Sequence, residues 1–397
     1  MKIVITGASG FVGQLLIPQL RDRGHDLLLA GRDTAKLRAL FPNSACCDYA
    51  GLPGAAGGYD LLLHLAVVNS DSALPDEAMF QANVDFTCEL ARLAVQADIR
   101  RFVNVSSIHA LDPQNRSSYA RSKRQAVTEL TAIKGIDVET IYLPLVYGAR
   151  WAGRLAVLNR LPKDVARGVF RGLAAFKPTC HVARIAGHLT ASEPGSDGVI
   201  LCDDIGKNSL YTGGKRCMDL TFAALVLLLL WWLLLAAAVV IRMETRGSPL
   251  FRQARVGRQG RVFTCYKFRT MHQGTVQAGT HEVSSAAVTR VGAVLRKTKL
   301  DELPQVWNIL RNEISLIGPR PGLPVQTGLI AARQARGVLA VTPGISGLAQ
   351  INDIDMSDPA RLAEWDAKYI ALRCLALDVR IALATARGRG RGDRTGD

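Results

Sequence analysis

Two neighbouring acids, Asp301 and Glu302, stand in the run "LRKTKLDELPQVWNIL". Pro304 suits the first turn of a helix, and Leu303, Val306, Trp307 and Leu310 follow at helical spacing. The acids are therefore expected just ahead of a helix N-terminus, where the dipole favours carboxylate and phosphate alike. Neighbouring side chains diverge, so one acid can attack a phosphorus while the other holds a metal or moves a proton. A carboxylate approaching a diphosphate meets charge repulsion, which Mg2+ and arginines relieve by neutralising the phosphate oxygens. Asp301 and Glu302 are the candidate metal ligands, and Arg320, held between Pro319 and Pro321, is the candidate phosphate fork. Arg296, Lys297 and Lys299 supply a further basic face. A helix cap would account for either acid alone, but not for the pair with Arg320.

A second constellation lies far upstream. "SSYARSKRQA" puts Tyr119 and Lys123 four residues apart, on one face of a predicted helix. A lysine cation beside a phenol stabilises the phenolate, so Tyr119 is expected to have a lowered pKa and to shuttle a proton. "RFVNVSSIHA" delivers Ser106 and Ser107 at the C-terminal end of a strand, where Ser107 can hydrogen-bond the reacting oxygen. His109 and His181 are candidate substrate contacts, though lone histidines are more often structural.

These groups need a scaffold. "KIVITGASGFVGQLLIPQL" reads as a strand, a turn with Gly7, Gly10 and Gly13, and a helix, which brings backbone N–H groups against a pyrophosphate. The second strand, "DLLLAGRD", leads to Arg32, which suits a ribose 2′-phosphate, so the cofactor is read as NADP over NAD although Asp33 is adjacent. Asp48 is placed to meet an adenine amino group, and "DLLLHLAVV" is the fourth strand.

With TGASGFVG, "HLA" at 64–66, "NV" at 83–84, the Ser-Ser pair, YARSK and "LPLVYG" at 143–148, residues 1–205 resemble an extended short-chain dehydrogenase/reductase of the nucleotide-sugar epimerase, dehydratase and reductase group. The resemblance implies that Ser107, Tyr119 and Lys123 catalyse a 4-keto reduction or a 4-epimerisation with NADP or NAD, Lys123 also holding the nicotinamide ribose. Leu143 stands where that group usually has an arginine, and the part after Gly148 is short. A nucleotide-binding module without turnover stays open as the alternative.

Between the two constellations, "LTFAALVLLLLWWLLLAAAVVI" (220–241) has no charge, proline or glycine. Its twenty-two residues reach roughly 33 Å as a helix, enough to cross a hydrocarbon core of about 30 Å. Lys215 and Arg216 precede it, and Arg242, Arg246, Arg252, Arg255, Arg258 and Arg261 follow. Positive charge on both sides puts both ends on the cytoplasmic face, so the helix is expected to re-enter, with Trp231 and Trp232 as candidates for the turn. Arg252, Arg255 and Arg258 are read as lipid-facing, Lys267 and Arg269 as near the active site or headgroups. The stripe Leu303/Val306/Trp307/Leu310 is read as a helix in the membrane interface.

"GSPLFRQARVGRQGRVFTCYKFRTM", "LDELPQVWNIL", "SLIGPRPG" and "VTPGISGLAQIN" make residues 215–386 resemble the monotopic phosphoglycosyl transferases, the bacterial sugar transferase family. The resemblance implies transfer of a sugar-1-phosphate from a UDP-sugar to polyprenyl (undecaprenyl) phosphate through a covalent phospho-sugar on Asp301, with Mg2+ and release of UMP. It also implies a re-entrant helix usually broken at Ser-Pro, a pair this sequence lacks. The expected fold is α/β: a Rossmann-type doubly wound parallel sheet, then the membrane-inserted helix and a small, mainly helical α/β transferase domain. The expected segments are 1–205, a linker at 206–214, the membrane helix at 215–242, the catalytic domain at 243–386 and a disordered basic tail at 387–397.

The net charge of +15 calls for an anionic partner. Between Arg242 and Leu300 twelve Lys or Arg face only Glu244 and Glu282, directly after the apolar run, which favours anionic lipid of the cell inner membrane over nucleic acid. The eight cysteines form no zinc or CxxC pattern and no signal peptide is evident, so reduced thiols on the cytosolic side are expected. A homodimer is left open.

Overall fold

The computed structural model describes residues 1–68, 75–191, 198–245, 247–275 and 287–390; Arg246, Glu282 and the tail beyond Gly390 lie outside the described residues. The chain divides into two compact units, Met1–Phe170 with Pro178–Asp203, and Arg171–Lys177 with Asp204–Asp397.

In the first unit the strands are β1 (Lys2–Thr6), β2 (Asp26–Ala30), β3 (Ala45–Cys47), β4 (Leu61–His64), β5 (Arg101–Ser107), β6 (Asp137–Leu143), a small pair β7 (Leu145–Tyr147) and β8 (Thr179–His181), and β9 (Val199–Ile200). The helices are α1 (Phe11–Asp22), α2 (Thr34–Leu40), α3 (Leu52–Ala55), α4 (Asp76–Phe80), which runs through a π turn into α5 (Phe86–Gln96), α6 (Ser118–Thr131), α7 (Lys163–Phe176), whose residues from Arg171 on belong to the second unit, and α8 (Val182–Thr190). Seven strands form one sheet in the order β3-β2-β1-β4-β5-β6-β9, each pair parallel.

A parallel sheet covered on both faces demands apolar residues at successive positions, which is why "IVI", "LLL" and "LLL" sit in β1, β2 and β4. Ile3, Ile5, Leu29 and Leu63 point to one core with Leu16 and Leu20 of α1 and Ile185 of α8. Val4, Leu28, Leu62 and Phe102 point to the other, with Leu90 and Ala94 of α5 and Leu130 of α6. The strand order reverses between β1 and β4, so their carboxyl ends open the crevice where such sheets bind ligands. His64 closes the floor there: Nδ1 meets Thr6 Oγ1 at 2.8 Å and Nε2 meets Thr87 Oγ1 at 3.0 Å. Complete burial drives its pKa down to about 3, so it is a neutral strut.

The second unit begins with α9 (Ser209–Leu229) and α10 (Trp231–Thr245). Hairpin strands β10 (Leu250–Val256) and β11 (Val262–Phe268) follow, then α11 (Arg290–Thr298), a 3-10 turn (Leu300–Gln305) and α12 (Val306–Leu310). A parallel pair, β12 (Ser315–Ile317) and β13 (Gly344–Ser346), brackets α13 (Thr327–Ala335), and α14 (Pro359–Leu372) and α15 (Leu375–Ala386) complete it. Residues 206–214, expected as a linker, are folded: Asn208 caps α9 by accepting from the Leu210 N–H at 3.0 Å.

Among the described residues no single helix is long and apolar enough to cross a membrane; α9 and α10 reach that standard only together, and they are bent by 67°. The bend needs neither proline nor serine. Leu230 leaves helical geometry (φ −112, ψ 7), and the Trp232 indole N–H donates to the Leu229 carbonyl at 2.9 Å. That bond satisfies a carbonyl which the break takes from the helical ladder. Leu225, Leu228, Leu229, Trp231, Trp232 and Leu235 are all more than half exposed or close to it, a contiguous apolar surface.

Two of the cations that flank the apolar run are turned into the protein. Lys215 is turned inward, donating to the Ile317 carbonyl at 2.8 Å and to Asp378 at 3.1 Å. Arg216 donates to the carbonyls of Ile309 and Leu310, capping α12. Arg242, Arg252, Arg258 and Arg261 remain exposed.

Candidate active sites

In the first unit the glycines meet the demands of a dinucleotide turn. Gly7 has φ +71, and a Cβ there would lie 2.5 Å from the backbone of Leu65 and Ala66; one on Gly13 would lie 2.5 Å from the Ala8 carbonyl. Gly10 precedes α1 with no side chain capping the helix, so its first N–H groups point at the crevice. This cradle fits a pyrophosphate.

Ser107, at the end of β5, accepts from the His109 N–H at 3.3 Å and hydrogen-bonds Tyr119. Lys123, one turn further along α6, is 2% exposed and donates to the Val105 carbonyl at 3.3 Å. The expected lowering of the Tyr119 pKa is not found. Burial raises it against the Ser107 hydrogen bond, and burial also brings Lys123 down to about 7, which weakens the cation meant to stabilise a phenolate. The ring of His109 lies 6.4 Å from that of Tyr119. His181 caps α8, accepting from the Ala183 N–H at 3.2 Å, and is a structural residue.

Arg32 is exposed after β2, while the Asp33 carboxylate caps α2 by accepting from the Lys36 N–H at 2.9 Å. Asp48 accepts from the Gly51 N–H at 2.7 Å, so part of its carboxylate serves its own turn. Leu143 is a buried core residue. Asn83, the first residue of the "NV" pair, is buried; it accepts from the Val68 N–H at 2.9 Å and donates to Ser122 Oγ at 3.2 Å, fixing the chain after β4.

In the second unit Asp301 and Glu302 lie on a cavity of about 2010 Å³, with Lys267, Arg296, Lys297, Lys299 and Arg320 in its wall. The acids sit within the 3-10 turn, entered through Lys299 in the left-handed region (φ +58), and α12 spans only five residues before Asn312 (φ +59) ends it. The expected helix dipole is correspondingly small, and side-chain cations dominate the site. Glu302 Oε1 accepts from Arg320 at 2.8 Å and from Lys267 at 3.2 Å. Asp301 is pushed up to about 6 by burial and then by Glu302, against the pull of Lys267, Arg320 and Arg296. Arg296 is aimed by a 3.0 Å bond from Nε to Thr270 Oγ1, and Lys297 is exposed at the rim. Lys299 donates to the Arg389 carbonyl at 2.8 Å, so the start of the expected tail is seated beside the turn.

The apolar stripe divides: Val306 packs with Ala223, Val226 and Ile309, while Trp307 and Leu310 are 54% and 38% exposed. Arg255 is not lipid-facing. It is 6% exposed and donates to Gln253 Oε1 at 2.7 and 3.0 Å and to the Pro321 carbonyl at 2.8 Å, bracing the loop that carries Arg320. Strand alternation would have found it, since Gln253 and Arg255 share one face of β10 and Arg252 lies on the other.

The two carboxylates and the diphosphate oxygens of a substrate form the hard donor set that suits Mg2+. Among the described residues no group of three or more His, Cys, Asp or Glu is placed to hold a metal ion.

Comparison with known proteins gives each half a family. Residues 210–390 match the model described as bacterial sugar transferase, and residues 3–173 that of the NAD dependent epimerase/dehydratase family. The uncharacterized sugar transferase EpsL of Bacillus subtilis (strain 168) is 36% identical over 173 residues, 44% of this chain and 85% of that protein. The chain belongs to the bacterial sugar transferase family. Another relative to which this chain is similar is the UDP-N-acetylgalactosamine-undecaprenyl-phosphate N-acetylgalactosaminephosphotransferase of Aeromonas hydrophila, 37% identical over 238 residues, 56% of this chain and 54% of that relative. The chain thus spans about half the length of that protein. A solved structure of MoeE5 in complex with UDP-glucuronic acid and NAD aligns with 51% of the sugar transferase chain and 77% of its own, at 20% identity and a TM-score of 0.42. Ahead of its transferase domain this chain carries the domain, residues 3–173, that matches the NAD dependent epimerase/dehydratase family.

Proposed function

We propose that the second half transfers a sugar-1-phosphate from a UDP-sugar to undecaprenyl phosphate at the cytoplasmic face of the bacterial inner membrane, beginning surface-glycan assembly. The observation that carries this reading is the cation-lined cavity holding Asp301, with Glu302 tied to Lys267 and Arg320. An Asp301 carboxylate oxygen attacks the phosphorus that bears the sugar, the bond to the bridging oxygen breaks, and UMP leaves with that oxygen. An oxygen of the acceptor phosphate then attacks the same phosphorus and releases the Asp301 carboxylate. Arg320 and Lys267 balance the charge that moves onto the leaving phosphate. Mg2+ held by Glu302 and Asp301 would add further neutralisation.

The apolar surface at the 67° bend and the exposed Arg242, Arg252, Arg258 and Arg261 support a helix pair that enters and leaves one face of an anionic membrane. For the first half we propose an NADP-dependent 4-keto reduction or 4-epimerisation of the nucleotide sugar. Tyr119 exchanges a proton with the sugar oxygen, Ser107 hydrogen-bonds that oxygen, and Lys123 lies where ribose hydroxyls would be held. A bound nicotinamide supplies or accepts the hydride. Arg32 at the surface, beside an Asp33 committed to capping, supports the 2′-phosphate form.

The test is UMP release from a panel of UDP-sugars with undecaprenyl phosphate. It is expected from the full chain and lost in Asp301→Asn, with a phospho-sugar adduct on Asp301 by mass spectrometry. Turnover by the Asn variant would overturn the assignment. NADPH consumption with a UDP-4-keto-sugar, lost in Tyr119→Phe, tests the first half.

A further inference from the structure

The cavity around Asp301 is larger than the donor chemistry requires. At about 2010 Å³ it exceeds the roughly 300–1,000 Å³ of ordinary small-molecule sites. Its cationic side serves the diphosphate. Another part of its wall is apolar: Met218 and Phe222 of α9, and Val379, Ala382, Leu383 and Ala386 of α15.

On α9, Met218 and Phe222 continue at helical spacing into Leu225 and Leu229. At 100° per residue the four fall within an arc of about 60°. The first two line the cavity, and the last two are 50% and 61% exposed on the apolar half of the helix. One unbroken apolar face therefore leads from the nucleophile's cavity to the bend at Leu230.

The other side is α15. Val379 and Leu383, one turn apart, are 47% and 50% exposed where they meet the cavity. Its acid, Asp378, faces the opposite way, fully buried and bonded to Tyr211, Tyr369 and Lys215. Met218 packs in one cluster with Ile381 and Ala382, so the two faces adjoin.

We propose that this apolar trough between α9 and α15 seats the isoprenoid chain of the acceptor and delivers its phosphate to the cationic end beside Asp301. The inference rests on the transferase reading above. A methyl-branched chain leaving the bilayer along α9 meets apolar side chains at each turn from Leu229 to Met218, and its charged end meets Lys267, Arg296 and Arg320 in the wall that holds Asp301.

The experiment uses the full chain in nanodiscs with Val379→Asp and Leu383→Asp, positions exposed enough for the fold to persist, checked by thermal unfolding. Donor chemistry is read as exchange of labelled UMP into UDP-N-acetylgalactosamine and UDP-glucose, with no acceptor present. Transfer is read with undecaprenyl phosphate. Both variants are expected to raise the acceptor KM about tenfold or more while the donor KM stays within about twofold. A diazirine-bearing farnesyl phosphate is expected to label residues 209–229 and 375–386. Normal exchange with an unchanged acceptor KM, or labelling elsewhere, overturns the trough. Absence of exchange in the unaltered chain overturns the transferase reading instead.

Discussion

As the proposed nucleophile, Asp301 must be ionised to attack phosphorus, yet burial and Glu302 keep its proton on up to about 6. Mg2+ can join only the ionised carboxylate, so at limiting Mg2+ the donor half-reaction should follow the ionised fraction of the metal-free site, roughly nine-tenths at pH 7, half at pH 6 and one-tenth at pH 5. An aspartate at the ordinary 3.8 would stay more than about nine-tenths ionised at pH 5. The two cases differ by nearly tenfold in rate. The assay is UMP exchange at constant ionic strength without acceptor, because a phosphate monoester itself titrates near pH 6 and would add its own limb. Glu302→Gln removes the neighbouring negative charge, so its acid limb should move to lower pH; Lys267→Met removes a cation and should move it up. Stability supplies an independent check. The folded chain holds the Asp301 proton to higher pH than the unfolded chain, so stability falls as pH rises from about 3.8 to about 6. Above that window the ionised carboxylate costs on the order of 3 kcal/mol, from a difference of about 2 in pKa. Asp301→Asn should then unfold at higher temperature at pH 8 while losing all turnover. A wild-type rate that is flat to pH 5, or variant limbs moving in the same direction, would refute the reasoning.

Trp232→Phe removes the indole bond at the helix break and should cost about 1 kcal/mol, seen as a lower unfolding midpoint in detergent; an unchanged midpoint would mean the break is held without it. Arg255→Met should raise the donor KM about tenfold through the loosened Arg320 loop. Arg255→Lys should rescue it poorly, because one ammonium cannot match the fork that spans Gln253 and Pro321; full rescue would remove the argument. Arg32→Ala should raise the KM for NADP about tenfold and leave that for NAD within about twofold, and equal effects on both would dismiss Arg32 as the selector.

The parallel sheet was legible because strands buried on both faces must be apolar at successive positions, and β1, β2 and β4 are. The acid pair and its arginines were legible as residue types at fixed spacing. What escaped was direction. Lys215 and Arg216 read only as flanking charges that set the membrane face, yet Tyr211, Lys215 and Asp219 fall on one helical face that is turned inward. A buried acid can recruit a cation across more than a hundred and fifty positions, as Asp378 does to Lys215, and no local window reports it. The break at Leu230 falls beside Trp231 and Trp232, the candidates for the turn, but its cause was not legible. It depends on an indole finding a carbonyl three residues back, a bond that residue type permits without demanding.

The unlike fates of two adjacent carboxylates follow from the same geometry. Glu302 shares one oxygen between Lys267 and Arg320, so its charge is compensated on the spot, and it holds those cations at the cavity wall. Asp301 is left with burial and a negative neighbour, and its pKa rises. A carboxylate near 6 is a more basic nucleophile than an ordinary aspartate and is still largely ionised at pH 7. Exchanging the roles would fail in both directions. A nucleophile already tied to two cations would have to break those bonds to attack, and the cations freed by its attack would lose the partner that keeps them aimed at the departing phosphate. Under the proposed mechanism, the order Asp-Glu is set by which side chain reaches Lys267 and Arg320, and the shorter acid is the one left to react.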